Sequence, residues 1–186
     1  MGIVFLVILL VLGLMLVVLY NSLVGRKNAV GNAFSSIDAM LKKRYDLLPN
    51  LVATVKTYMN YEQETLTKIT ELRNQAAAPG IPAEQRVQLE NQISSAMRNV
   101  MVQVENYPQL KANENFLQLQ SAWNEIEEQI SAARRAYNAS VNDYNNAVEQ
   151  FPTNAMARMM SYTPKTFFEI PEEERRNVSA EELFKK

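Results

Sequence analysis

The sequence has no cysteine and no histidine, and its first 25 residues carry no charged side chain. Without cysteine there are no disulfides and no thiol chemistry. Without either residue, zinc sites of the usual kind, Ser-His and Cys-His nucleophile pairs and His-bearing di-iron bundles are excluded. Any catalysis would have to rest on carboxylate, Lys, Tyr or Ser side chains. Glycine (5) and proline (7) are scarce in 186 residues, so long helices are expected. Basic charge is not in excess either. Lys+Arg is 19 against Asp+Glu 20, a net charge of −1. A nucleic-acid partner would want a clustered basic face, so none is expected.

What is present first is a hydrocarbon-like run. From Ile3 to Tyr20 nearly every residue is Ile, Val, Leu, Phe or Met, interrupted by Gly13. About 20 apolar residues cross roughly 30 Å of hydrocarbon. In lipid the backbone must satisfy its own hydrogen bonds, which makes the run a helix. Tyr20 and Asn21 follow at interface depth, and Arg26 and Lys27 end the span. A cleaved signal peptide would need a basic start and a small-residue cleavage site, and neither is seen. Residues 1–24 therefore read as a transmembrane anchor. The basic residues Arg26, Lys27, Lys42, Lys43 and Arg44 all flank it on the C-terminal side. The positive-inside bias then puts the N-terminus outside and the body in the cytoplasm.

The body reads as all-α. Residues 25–152 are expected to form an antiparallel bundle of long helices, over about 26–76, 83–105 and 113–150, with a tail of short helical turns over 153–186. The first stripe is Phe34, Ile37, Leu41, Tyr45, Leu48, Val52, Val55, Met59, Leu66 and Ile69, mostly at alternating steps of three and four. Pro49 interrupts it by deleting one helical hydrogen bond, at the carbonyl of Tyr45. Because the stripe stays in phase, a kink is favoured over a new helix opening at Pro49. The loop Ala76-Ala77-Ala78-Pro79-Gly80-Ile81-Pro82 marks the main hairpin. Leu89, Ile93, Met97, Val100 and Val104 line the second helix, which Tyr107-Pro108 ends. Asn113 can cap the third, whose stripe runs Phe116, Leu119, Trp123, Ile126, Ile130, Ala133, Tyr137, Val141, Tyr144, Val148 and Phe151, with Phe151-Pro152 closing the bundle. A capping-box pattern over 179–182 suggests one more turn near Leu183 and Phe184.

Several polar groups invite a functional reading, and each has a plainer one. Asp46 and Asn50 flank Pro49 and could hold a partner or cation. More simply, they satisfy the backbone groups that the proline frees. Tyr137-Asn138 and Tyr144-Asn145 repeat at seven residues. They could line a polar groove, but heptad spacing favours tyrosines packed on the stripe and asparagines setting register. Glu125, Glu127 and Glu128 splay around one helix and read as a solvated face. Lys42-Lys43-Arg44 could touch anionic headgroups if the rod folds back, but reads more simply as a soluble surface patch. Phe167-Phe168 docks back on the bundle or anchors a neighbouring subunit. No residue is assigned to catalysis, to a cofactor or to a metal.

The motif strings resemble the LemA family. The resemblance is carried by Tyr20-Asn21-x-Leu23-Val24, Ala33-x-x-x-Ile37-Asp38 and Arg44-Tyr45-Asp46-Leu47-Leu48-Pro49-Asn50-Leu51-Val52. It continues in Glu105-Asn106-Tyr107-Pro108-x-Leu110-Lys111-Ala112, Ala133-Arg134-x-x-Tyr137-Asn138, Tyr144-Asn145 and Phe151-Pro152. It implies a bacterial single-pass protein with a long-helix bundle and no enzymatic activity established for the class. One branch is associated with magnetosome membranes. The expectation is a structural or scaffolding protein, not an enzyme, that meets membrane lipid and self-associates into a homo-oligomer. The alternative is an adaptor that presents a helical face or the tail to another membrane protein.

Overall fold

A computed structural model describes residues 1–59 and 63–168. Among the described residues there is no strand. Six helices are present there: α1 Gly2–Tyr58, α2 Gln63–Ala76, α3 Ala83–Val104, α4 Pro108–Lys111, α5 Glu114–Glu149 and α6 Thr153–Met159. The helical turn expected over 179–184 lies outside the described residues. The chain divides into two compact units. One comprises residues 1–41 and 125–167, the other residues 42–124 with Phe168.

The second unit is a bundle around one apolar core. α1 enters it with Leu48, Leu51, Val55 and Met59, all buried, and continues through Pro49 without a break. The expected single helix over 26–76 does not hold. α1 ends at Tyr58, and α2 runs back along it, since the Arg73 Nε–H donates to the Tyr45 carbonyl at 3.1 Å. Leu66, Ile69, Leu72 and Ala76 thereby enter the same core as Val55 and Met59. A stripe in phase is thus satisfied by folding back instead of by extension. Gly80, at φ +77°, supplies the left-handed turn residue before α3. α3 buries the five residues of its stripe, Leu89, Ile93, Met97, Val100 and Val104. Tyr107 caps α4 with Pro108 in its first turn, and buried Leu110 closes this end of the core. The Asn113 Oδ1 accepts the Phe116 N–H at 2.9 Å, an N-cap that starts α5, whose Phe116 and Trp123 complete the core.

The first unit is built on the other parts of α1 and α5, which run antiparallel. Ala147 packs with Leu23, Val141 and Tyr144 with Val30, and the Tyr137 ring meets Phe34 edge-on at 6.0 Å. α6 returns to the same end and sets Ala157 on Leu23. Ser161, at φ 54°, then reverses the chain, with the Tyr162 N–H donating to the Ala157 carbonyl at 2.9 Å. Residues 162–168 form no helix. At the N-terminus, residues 3–18 of α1 are exposed and apolar, and no other described part of the chain covers them. This is the one described helix long and apolar enough to cross a membrane.

Candidate functional site

The second unit holds a charged knot in its core. Arg44 and Glu90 are each 0% exposed and form an ion pair between α1 and α3. The Tyr45 hydroxyl donates to the other Glu90 oxygen, and the Arg44 Nη1–H donates to Ser94 Oγ at 2.9 Å. The guanidinium also lies 5.7 Å from the centre of the Trp123 ring on α5. Three helices are thus joined by one set of directional contacts, and a slip of one turn would strand a buried charge. This corrects the surface patch expected at Lys42-Lys43-Arg44. The two lysines are exposed, while Arg44 points inward. Its planar fork suits a buried, stacked pair better than an ammonium would.

Pro49 sets up a second arrangement close by. Its missing N–H leaves the Tyr45 carbonyl without its helical donor, and Arg73 from α2 supplies one. The expectation that Asp46 and Asn50 would do this is therefore corrected. The Asp46 carboxylate pairs instead with Lys42 at 3.4 Å on the exposed face, and Asn50 is exposed, its carbonyl accepting from Thr54 Oγ1 at 2.9 Å. Arg73→Met will cost about 1–3 kcal/mol, the penalty for an orphaned acceptor. In a Pro49→Ala background residue 49 regains an N–H for that carbonyl, so the same change will cost much less. Urea unfolding of the four variants measures this coupling.

In the first unit the Tyr-Asn repeat grips the tail. Asn145 reads the main chain of Lys165 twice: Nδ2 donates to its carbonyl at 2.9 Å, and Oδ1 accepts its N–H at 2.8 Å. The Tyr137 hydroxyl donates to the Thr166 carbonyl at 3.2 Å. Tyr144, buried under the tail, stacks at a tilt on Tyr162, with 6.3 Å between ring centres. The Lys27 ammonium sits 4.4 Å from the Tyr162 ring centre, and Lys165 lies over Tyr144. Asn145 therefore does not set helix register; it holds a neighbouring backbone. Asn138 and Arg134 are half-buried on α5. Beside the tail is an open cleft of about 630 Å³ lined by Lys27, Val30, Phe34, Tyr137 and Lys165 among others.

Asn145→Ala will free the tail locally. Hydrogen exchange at the Lys165 amide should rise at least about tenfold, as expected for loss of one or two net hydrogen bonds, while the melting temperature barely moves. Burial pushes the Tyr137 and Tyr144 phenols up, the latter aided by nearby Tyr162. The folded chain therefore keeps those protons to higher pH than the unfolded chain. Their contribution to stability is complete below the ordinary tyrosine value, near pH 10, and is lost as pH rises through the raised values. Melting followed from pH 9 to 12 should show that decline, and Tyr144→Phe should flatten it.

The closing motif lies elsewhere. The Phe151–Pro152 peptide is cis, and Phe151 is 84% exposed. It was expected to continue the α5 stripe, but the helix ends at Glu149 and the following turn carries its ring off that face. In the tail, Phe167 is 49% exposed and Phe168 half-buried. Of the acidic group, Glu125 and Glu128 are exposed and Glu127 is half-buried. Among the described residues no three carboxylates gather where they could hold a metal.

Residues 33–181 match the family model described as "LemA family". The chain belongs to the LemA family. It is 32% identical over 163 residues to Protein LemA of Metamycoplasma hominis, covering 88% of this chain and 74% of that one. It is also 21% identical over 175 residues to Magnetosome proteins MamQ 1 and MamQ 2 of Paramagnetospirillum magneticum, covering 81% of this chain and 64% of theirs, a little under two thirds. None of these names denotes an enzyme. With the uncovered apolar stretch of α1, family membership fits a membrane-associated protein. Of the strings that carry the resemblance, Arg44 and Tyr45 lie in the knot, Pro49 at the proline acceptor, Tyr107 and Pro108 at the start of α4, and Tyr137, Tyr144 and Asn145 in the tail clasp.

Proposed function

We propose that this LemA-family chain is a membrane-anchored scaffold whose copies associate side by side. The observation that carries it is the character of α1. Its apolar stretch has no protein cover, yet it passes within one helix into Leu23 and Val30, on which the first unit is packed. An anchor fused in this way to a packed body holds that body at the bilayer instead of leaving it on a loose tether. The functional surface is then the exterior of the helices, where Val102 (α3) and Leu117 (α5) stand exposed. Helical bodies gathered on one membrane plane gain apolar burial by lateral contact, most economically with cyclic symmetry. The setting is the cell inner membrane, with the N-terminus outside and the body cytoplasmic, following the basic flank at Arg26 and Lys27.

Two differently tagged copies, co-expressed and extracted in mild detergent, should co-purify. Recovery of each tag alone would count against the scaffold. The exposed ring of Phe167 favours the second reading, an adaptor whose tail meets another membrane protein. Under that reading, deleting the tail from residue 163 onward abolishes capture of the partner and leaves self-association unchanged.

A further inference from the structure

Beyond the uncovered stretch of α1, two large apolar side chains among the described residues stand almost free of the protein, Phe151 at 84% and Met159 at 81% exposure. Both lie at the same end of the first unit. α5 descends along α1, with Val141 beside Val30 and Ala147 beside Leu23. Each further turn of α5 moves about 5.4 Å toward the N-terminus of α1. The turn that carries Phe151 follows one turn after Ala147, which brings it level with the last residues of the apolar stretch. α6 comes back to the same level, because Ala157 packs on Leu23, and Met159 lies two residues beyond. Basic side chains stand just above this level, while the exposed carboxylate of Glu149 lies two residues before Phe151. Arg26 and Lys27 stand roughly one turn above Leu23, and Arg26 Nη1 donates to the Asp143 carbonyl at 3.2 Å. The tail clasp carries Lys165 to the cleft that Lys27 lines, and among the described residues no acidic side chain lines that cleft.

We infer that the α5–α6 turn is a second membrane contact, in which Phe151 and Met159 enter the headgroup–acyl boundary of the bilayer that holds residues 3–18, while Lys27 and Lys165 face its phosphates. The inference rests on the anchor reading. It makes the first unit a two-point foot, spanning through α1 and dipping through the turn. It also accounts for a phenylalanine that leaves the α5 stripe for the outside. Interfacial apolar groups beneath a basic rim are the usual make-up of such contacts.

The absence of cysteine allows single labels in the full chain. Spin labels at Gln150→Cys and Leu16→Cys, in vesicles of phosphatidylcholine with phosphatidylglycerol, report depth by collision with oxygen against a nickel chelate. The label at 150 should lie about 5–10 Å into the boundary, the depth of interfacial helices, and the label at 16 deeper. Adding Phe151→Ser and Met159→Ser should return the label at 150 to water and leave the label at 16 in place. An aqueous label at 150 with a buried label at 16 overturns the foot and spares the anchor. A label at 150 that stays at depth in the double serine variant also overturns it, since Phe151 and Met159 would then not make the contact. An aqueous label at 16 overturns the anchor, and the foot with it.

Discussion

Arg44→Met should destabilise the bundle by about 3–5 kcal/mol, whereas Arg44→Met combined with Glu90→Leu should recover most or all of that loss. The asymmetry follows from burial. Both groups are removed from water, so deleting the arginine leaves a carboxylate without its countercharge inside an apolar core. Removing both replaces a costly desolvated pair with hydrocarbon of similar volume. The Tyr45 hydroxyl and Ser94 then lose an acceptor and a donor, which should keep the double variant slightly below a fully apolar core. The protein's one tryptophan, Trp123, lies beside the guanidinium, so its fluorescence reports local order during denaturant unfolding. A double variant as weak as the single would mean that the pair supplies stability outright. A stable double variant with broadened transitions would mean that the pair fixes the register of α1, α3 and α5.

Leu10→Arg with Leu14→Arg should release the chain from the membrane. Each change exchanges a favourable contribution of about 0.3–0.6 kcal/mol for a penalty of about 2.5–3.5 kcal/mol near the helix centre, so the pair costs about 6–8 kcal/mol of insertion. Neither position is covered by the rest of the described chain, since residues 3–18 stand exposed there. Alkaline carbonate extraction measures the result. The parent should stay in the pellet and the variant should leave it. Equal retention of the two would mean that something other than this stretch holds the protein down. The changes lie outside both packed cores, so helicity of the recovered variant should match that of the parent by circular dichroism.

Much of this fold was legible in the residues because hydrophobic spacing and caps are local signals. The α3 stripe, the Asn113 cap and the Tyr107-Pro108 boundary can be read a few residues at a time. The reversal after α1 could not be read that way. No proline or glycine lies between Lys56 and Gln63, and both arms carry the same three-four spacing, so a fold-back and a longer helix look alike in sequence. Arg44 was hidden for a related reason. It follows two lysines that are solvated, and its countercharge, Glu90, lies 46 positions away. A charged residue standing where the stripe needs an apolar one, three positions after Leu41 and four before Leu48, was the signal available. Asn145 stands out in sequence yet reads as a register residue, because a grip on a peptide backbone leaves no mark on the side chains of the segment held. Phe151 reads as core in sequence because its spacing continues the α5 stripe, and only the end of the helix at Glu149 removes it from that face.

Scaffolding depends most on copies gathering in the plane of the membrane that the first helix enters. Mass measurement of the full-length protein, extracted from membranes and held in lipid nanodiscs or detergent at micromolar concentration, tests this directly. Discrete particles weighing several times the 21.2 kDa chain are the predicted result. A folded, membrane-derived particle containing one chain, unchanged as concentration rises, would contradict it.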